Sequence, residues 1–150
     1  MSDHANENTV ESLSVLLAST YTLYIKTHNY HWNVTGPMFS TLHALFEMQY
    51  TELAAAVDEI AERIRVLGAY APGSATAFTK LSAVQEENGQ PTAIEMIQSL
   101  ASDQSTIESV ARNVIEAAEA IGDQPSTDLA IRRQEVHGKN GWMLKSHLIK

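Results

Sequence analysis

Residues 68–91 read GAYAPGSATAFTKLSAVQEENGQP. This stretch decides the fold, because it is too long for an ordinary loop and joins two long apolar-periodic segments. Before it, Leu42, Leu45, Leu53, Val57, Ile60, Ile64 and Leu67 recur at three- and four-residue steps, the spacing of a helix with one buried face. After it, Ile94, Ile97, Leu100, Ile107, Ala111, Val114, Ala118 and Ile121 do the same, up to Gly122. A helix of roughly 28 residues is about 42 Å long. An extended chain covers about 3.4 Å per residue, so the segment between Gly68 and Pro91 can return along that whole length. The two helices it joins then run parallel. A short helix over residues 77–81 fits inside the connection.

Working outward, Val10, Leu13, Leu17, Tyr21, Tyr24, His28 and His31 give a first helix, ended by Gly36 and Pro37. Ser40 or Thr41 is expected to cap the second helix and Gly68 to occupy its C′ position. Leu129, Val136, Met143 and Leu148 support a fourth helix from about Ser126. Gly138 and Gly141 oppose it, each by about 1 kcal/mol relative to Ala. Helices one and two, and three and four, are joined by short links and must be antiparallel neighbours. No strand pattern competes. The expectation is an all-α chain, a ferritin-like four-helix bundle with one long crossover holding a short helix. It forms one domain over residues 1–150, with residues 1–8 flexible.

The chain has 150 residues, 44% of them apolar, which suits one compact domain. It has no cysteine, which excludes disulfides and thiolate-ligated metals. No apolar run is long enough for a membrane span, and the opening MSDHANENTVES lacks the features of a secretory signal. A cytoplasmic address is expected. The net charge of −8 repels phosphate, so cations are better partners than nucleic acid. Between residues 12 and 46 the only Lys, Arg, Asp or Glu is Lys26. Such neutrality suggests burial on more than one side, as at a subunit interface.

Candidate metal ligands lie on the first two helices: His31, then His43, Glu47, Asp58 and Glu62. His43 and Glu47 are one helical turn apart, as are Asp58 and Glu62, so each pair shares a face. Imidazole with carboxylate suits iron, manganese or zinc. Yet His43 and Asp58 are about 22 Å apart along one helix axis, whereas metal–ligand bonds are about 2 Å. They share an ion only if the second helix packs antiparallel on its own copy across a two-fold axis near residues 50–53. Two identical intersubunit sites then follow. His28, three residues from His31, is a further ligand option. His137 and His147 read as surface residues.

The stretch KTHNYHWNVTGPMFSTLHALFEMQY, followed by DEIAERIRVLG, resembles the Dps family of mini-ferritins. The joint pattern is His-Trp-Asn, then Leu-His-x-x-Phe, then Asp-x-x-x-Glu-Arg. The likeness runs over essentially the whole chain, including Trp142 to Ser146. It implies a hollow cage of twelve subunits that oxidises Fe(II), preferentially with hydrogen peroxide, and stores ferric mineral. It places the ferroxidase ligands on His31 and His43 of one subunit and Asp58 and Glu62 of its two-fold partner, with zinc suited to the same donors. Glu47 would assist the second iron, and Trp32 would quench radicals beside the site. Asp123 and Asp128 match an acid-lined pore, with Glu119 less secure, and Glu52 or Glu59 would nucleate mineral. The alternative is a DNA-compacting nucleoid protein. Residues 1–25 hold no Lys or Arg, which speaks for weak or absent DNA binding.

Overall fold

The computed structural model describes residues 5–149. Four long helices form the bundle: α1 (Glu7–Asn33), α2 (Phe39–Val66), α4 (Ala93–Ala120) and α5 (Gln124–Lys145), with the short α3 (Ala75–Leu81) in the crossover. A single 3-10 turn, Ser146–Leu148, follows α5. Side-chain pairs fix the directions. His31 meets His43 while Tyr24 meets Tyr50, so α1 and α2 are antiparallel. Glu52 pairs with Arg133 and Arg63 with Asp123, so α5 also runs against α2. Because α4 and α5 form a hairpin, in which Gln104 meets His137, α4 is parallel to α2, as the crossover length requires.

Two helix ends obey the glycine expectation in full. Gly68 and Gly122 have φ of 94° and 71°. At each, the glycine N–H and the next N–H return to carbonyls of the last turn, at 3.0 and 3.3 Å after α2 and at 3.1 and 2.9 Å after α4. These are Schellman motifs, which satisfy carbonyls the helix leaves open. Helix starts differ from expectation. Neither Ser40 nor Thr41 caps α2. Its N-cap is Met38, without a side-chain bond, because the turn at Gly36 lets the Phe39 N–H reach the Gly36 carbonyl and the helix starts early. α5 also starts ahead of Ser126, with Asp123 as its cap and Pro125 in its first turn. Within the segment expected to be flexible, α1 begins at Glu7, and the buried Asn6 donates to the Leu67 carbonyl at 2.9 Å. Residues 1–4 lie outside the described residues.

The core is the aliphatic interior of the four helices, with Leu13, Leu17, Phe46, Ile60, Leu100 and Val114 fully covered. Lys26, the one charge in its long neutral stretch, is only 5% exposed and pairs with Asp103 at 2.8 Å. Burial raises the Asp103 carboxyl, and the lysine opposes that rise. Nearby, Tyr30 donates to Glu87 at 2.5 Å, and the Gly89 N–H donates to the other carboxylate oxygen at 3.0 Å. This ties the end of the crossover to α1. Burial, then the Glu87 bond, push the Tyr30 phenol well up, while the two donated bonds pull Glu87 down.

His137 is not a surface residue: it is fully buried. Its Nδ1 donates to Gln104 Oε1 at 2.7 Å, and its Nε2 accepts from Arg133 at 3.0 Å. Arg133 in turn grips Glu52 through two bonds, at 2.6 and 3.0 Å. Burial, then the neighbouring guanidinium, hold His137 neutral, with its pKa down at about 3. At Gly141 an added Cβ would make only an ordinary van der Waals contact, 3.7 Å from Gln104 Cβ, so packing there does not demand glycine.

Candidate metal centre

His31 stands in the last turn of α1 and His43 in the second turn of α2. The short link between the helices brings the two rings face to face, with centroids 3.8 Å apart and planes 14° from parallel. Each imidazole reaches across to the other's main chain: His31 Nδ1 lies 2.7 Å from the His43 carbonyl oxygen, and His43 Nδ1 lies 2.7 Å from the His31 carbonyl oxygen. A carbonyl can only accept. Both Nδ1 atoms therefore carry a proton, and in the neutral ring this tautomer leaves the lone pair on Nε2. A backbone carbonyl that fixes a tautomer in this way is the usual outer partner of a metal-ligating histidine. Neither Nε2 has a hydrogen-bond partner among the described residues. Phe39 stacks on His43 at 5.0 Å, and Tyr50 stands edge-on to His31 at 5.2 Å.

The acids are elsewhere. Asp58 and Glu62 project from the exposed C-terminal half of α2, and Glu47 is exposed one turn beyond His43. Among the described residues of one chain, no three His, Asp or Glu side chains come together in a group that could hold a metal ion. The chain thus presents two preset imidazole donors at one end of α2 and two carboxylates about 22 and 28 Å away along the axis.

Trp32 is 63% exposed. Its own neighbour is His28, at 3.9 Å. His28 in turn stacks on Tyr50 at 4.3 Å. It is held between two aromatic rings. Sequence reasoning missed Tyr50, although the signal was present: 43, 47 and 50 share one face of α2, and 24, 28 and 31 share one face of α1.

Asp123, expected at a pore, is committed to structure. Its carboxylate caps α5 through the Ser126 N–H at 3.1 Å, accepts the Ser126 hydroxyl at 2.5 Å and pairs with Arg63 at 3.0 Å. Its position just ahead of Pro125 is what selects it as the cap. Asp128 is exposed and accepts from Gln124 at 2.8 Å. Glu52 and Glu59, expected to nucleate mineral, are paired with Arg133 and Arg132.

A protein-family model described as a ferritin-like domain matches residues 10–150. DNA protection during starvation protein 2 of Bacillus anthracis is 34% identical over 143 residues, covering 95% of this chain and 98% of that protein. The structure of Dps from Thermosynechococcus elongatus is similar with a TM-score of 0.95 at 31% identity, over 98% of this chain and 94% of that one. So is the DPS protein of Vibrio cholerae O1, a member of a broad superfamily of ferritin-like diiron-carboxylate proteins. There the TM-score is 0.94 at 30% identity, over 99% and 94% of the two chains.

Proposed function

Because this chain belongs to the Dps family of ferritin-like proteins, we propose that it is a ferroxidase and iron store that shields the cell from oxidative damage. Its substrates are Fe(II) and, by preference, hydrogen peroxide. Its centres are shared between two chains of a homo-dodecamer, and the ferric product is kept inside the cage. The observation that carries this reading is the reciprocal imidazole–carbonyl pair, which presets two Nε2 donors that no third His, Asp or Glu among the described residues of the same chain completes into a metal site. A similar protein described as a diiron-carboxylate superfamily member supports iron as the substrate.

The roles follow from the donors. His31 and His43 bind Fe(II) through Nε2, while Asp58 and Glu62 of the partner subunit supply hard oxygen donors. Hard anionic oxygens favour Fe(III) over Fe(II), which assists electron loss. Two adjacent irons deliver both electrons that one peroxide takes up. Glu47 assists the second iron. Zinc suits the same donors and competes with Fe(II). Asp123 and Asp128 line the cation passage. DNA binding is weak or absent, because the net charge of −8 per chain repels phosphate.

Complementation tests the sharing of sites. A His31→Ala/His43→Ala chain and an Asp58→Asn/Glu62→Gln chain should each lose at least about tenfold in peroxide-driven Fe(II) oxidation. Refolded together, they form mixed dimers in which one of the two sites is intact and the other doubly broken. Activity should return in the mixture, followed anaerobically by ferric absorbance. Activity absent from the mixture but present in wild type would place the ligands wrongly.

A further inference from the structure

We propose that Tyr50 is the point at which a one-electron oxidising equivalent leaves the His31/His43 centre, and that it runs on along Tyr24 to Tyr21. This rests on the ferroxidase reading above. The question arises whenever a centre holds one iron instead of two. A single Fe(II) gives one electron, and hydrogen peroxide needs two.

The rings that touch the candidate ligands are few. Phe39 lies against His43 and Tyr50 against His31. Of these only the phenol of Tyr50 is readily oxidised. Among the described residues of one chain, the ring neighbour of Trp32 is His28, whose ring is 6.2 Å from that of His31. Imidazole is a poor one-electron donor, so Trp32 is a side branch. From Tyr50 the next phenol is Tyr24, with centroids 6.0 Å apart and planes at 75°. Tyr21 follows at 5.8 Å and 66°. Both are edge-to-face contacts, in which ring atoms approach van der Waals distance. Tyr21 then stacks on Phe78 of α3 at 4.8 Å. Phenylalanine cannot continue the transfer, so the relay ends at Tyr21, beside a cleft between α1 and the crossover. Three phenols thus lead from the centre toward the crossover, over nearly three turns of α1.

The step balances. One Fe(II), one hydrogen peroxide, one proton and the Tyr50 phenol give Fe(III), two water molecules and a neutral tyrosyl radical. Iron and the phenol each lose one electron, the O–O bond breaks, and the phenolic hydrogen ends in water. Tyr24 then gives an electron and its phenolic proton to the Tyr50 radical and becomes the radical itself. Tyr21 repeats the exchange. The hydroxyl radical that one iron and peroxide would release is consumed.

The Tyr50 hydroxyl has no hydrogen-bond partner among the described residues, so Tyr50→Phe removes the oxidisable group and keeps the ring. The assembled protein is loaded anaerobically with one Fe(II) per centre, mixed with hydrogen peroxide, frozen within milliseconds and read by electron paramagnetic resonance. A spin trap reports hydroxyl radical in parallel. Wild type should give a tyrosyl signal whose hyperfine pattern changes in Tyr24→Phe and Tyr21→Phe. Tyr50→Phe should lower the tyrosyl yield by at least about threefold and raise the trapped hydroxyl radical. Trp32→Phe should leave the tyrosyl signal in place. A full tyrosyl yield in Tyr50→Phe, or a radical confined to Trp32, would overturn the relay while leaving the ferroxidase standing. If wild type fails to oxidise Fe(II) at all, both fall.

Discussion

His137 shows how far one side chain can depart from its sequence context. Flanked by Val136 and Gly138 near the polar Gln134 and Glu135, it reads as exposed, yet it lies at the centre of the bundle between Gln104 and Arg133. It has to stay neutral there, with a folded pKa of about 3 against about 6.5 in an unfolded chain. The unfolded state therefore binds the extra proton first as pH falls. The contribution of His137 is complete above about pH 6.5 and is lost toward pH 3, by up to about 1.4 kcal/mol per pH unit. Urea unfolding between pH 7 and pH 4 should show this slope in wild type and a shallower one in His137→Gln. The candidate metal ligands were far more legible than His137. Their residue types and their spacing are chemistry that sequence displays directly. What sequence could not display was the tautomer, because it depends on two carbonyl oxygens meeting two rings across a helix pair.

Among the helices, the crossover was readable from length alone, since an extended segment of known reach must return along a rod of known length. The C-terminal glycines were readable too, because a positive φ leaves few alternatives. Gly122, with φ 71°, has nothing within 4 Å of where a Cβ would stand. Gly122→Ala should therefore cost only backbone strain, about 1–2 kcal/mol, seen as a lower urea midpoint with an unchanged slope. Helix starts were less readable. Ser40 and Thr41 are good capping residues that the Gly36 turn leaves inside the helix. The start of α5 was available in the sequence, since Asp123 precedes Pro125 by two positions. Asp123→Ala removes both the cap and the Arg63 partner and should cost about 1–2 kcal/mol. Asp123→Asn keeps a capping oxygen and should cost less, by the same measurement.

Over the whole molecule, a single chain does not finish its own burial. Ile25 is 53% exposed on α1, and Trp142 is 66% exposed on α5. Large apolar side chains left open on separate faces are what a closed assembly covers. Light scattering should report a particle of about twelve chains, and isolated protomers would contradict the shared centre directly. Such a particle multiplies the −8 charge of each chain. In a gel-shift assay at about 150 mM salt with magnesium chelated, duplex DNA should migrate unretarded. Among the described residues no helix is long and apolar enough to cross a membrane.

The crossed grip of His31 and His43 also bears on inheritance. Each ring anchors the backbone that carries its counterpart, so replacing either one loosens a joint between helices as well as a donor. A descendant that had abandoned the chemistry would still be selected to retain both imidazoles as a hinge pin. Their survival in a lineage would then record architecture as well as the proposed chemistry, whereas the distant carboxylates would record the proposed chemistry alone.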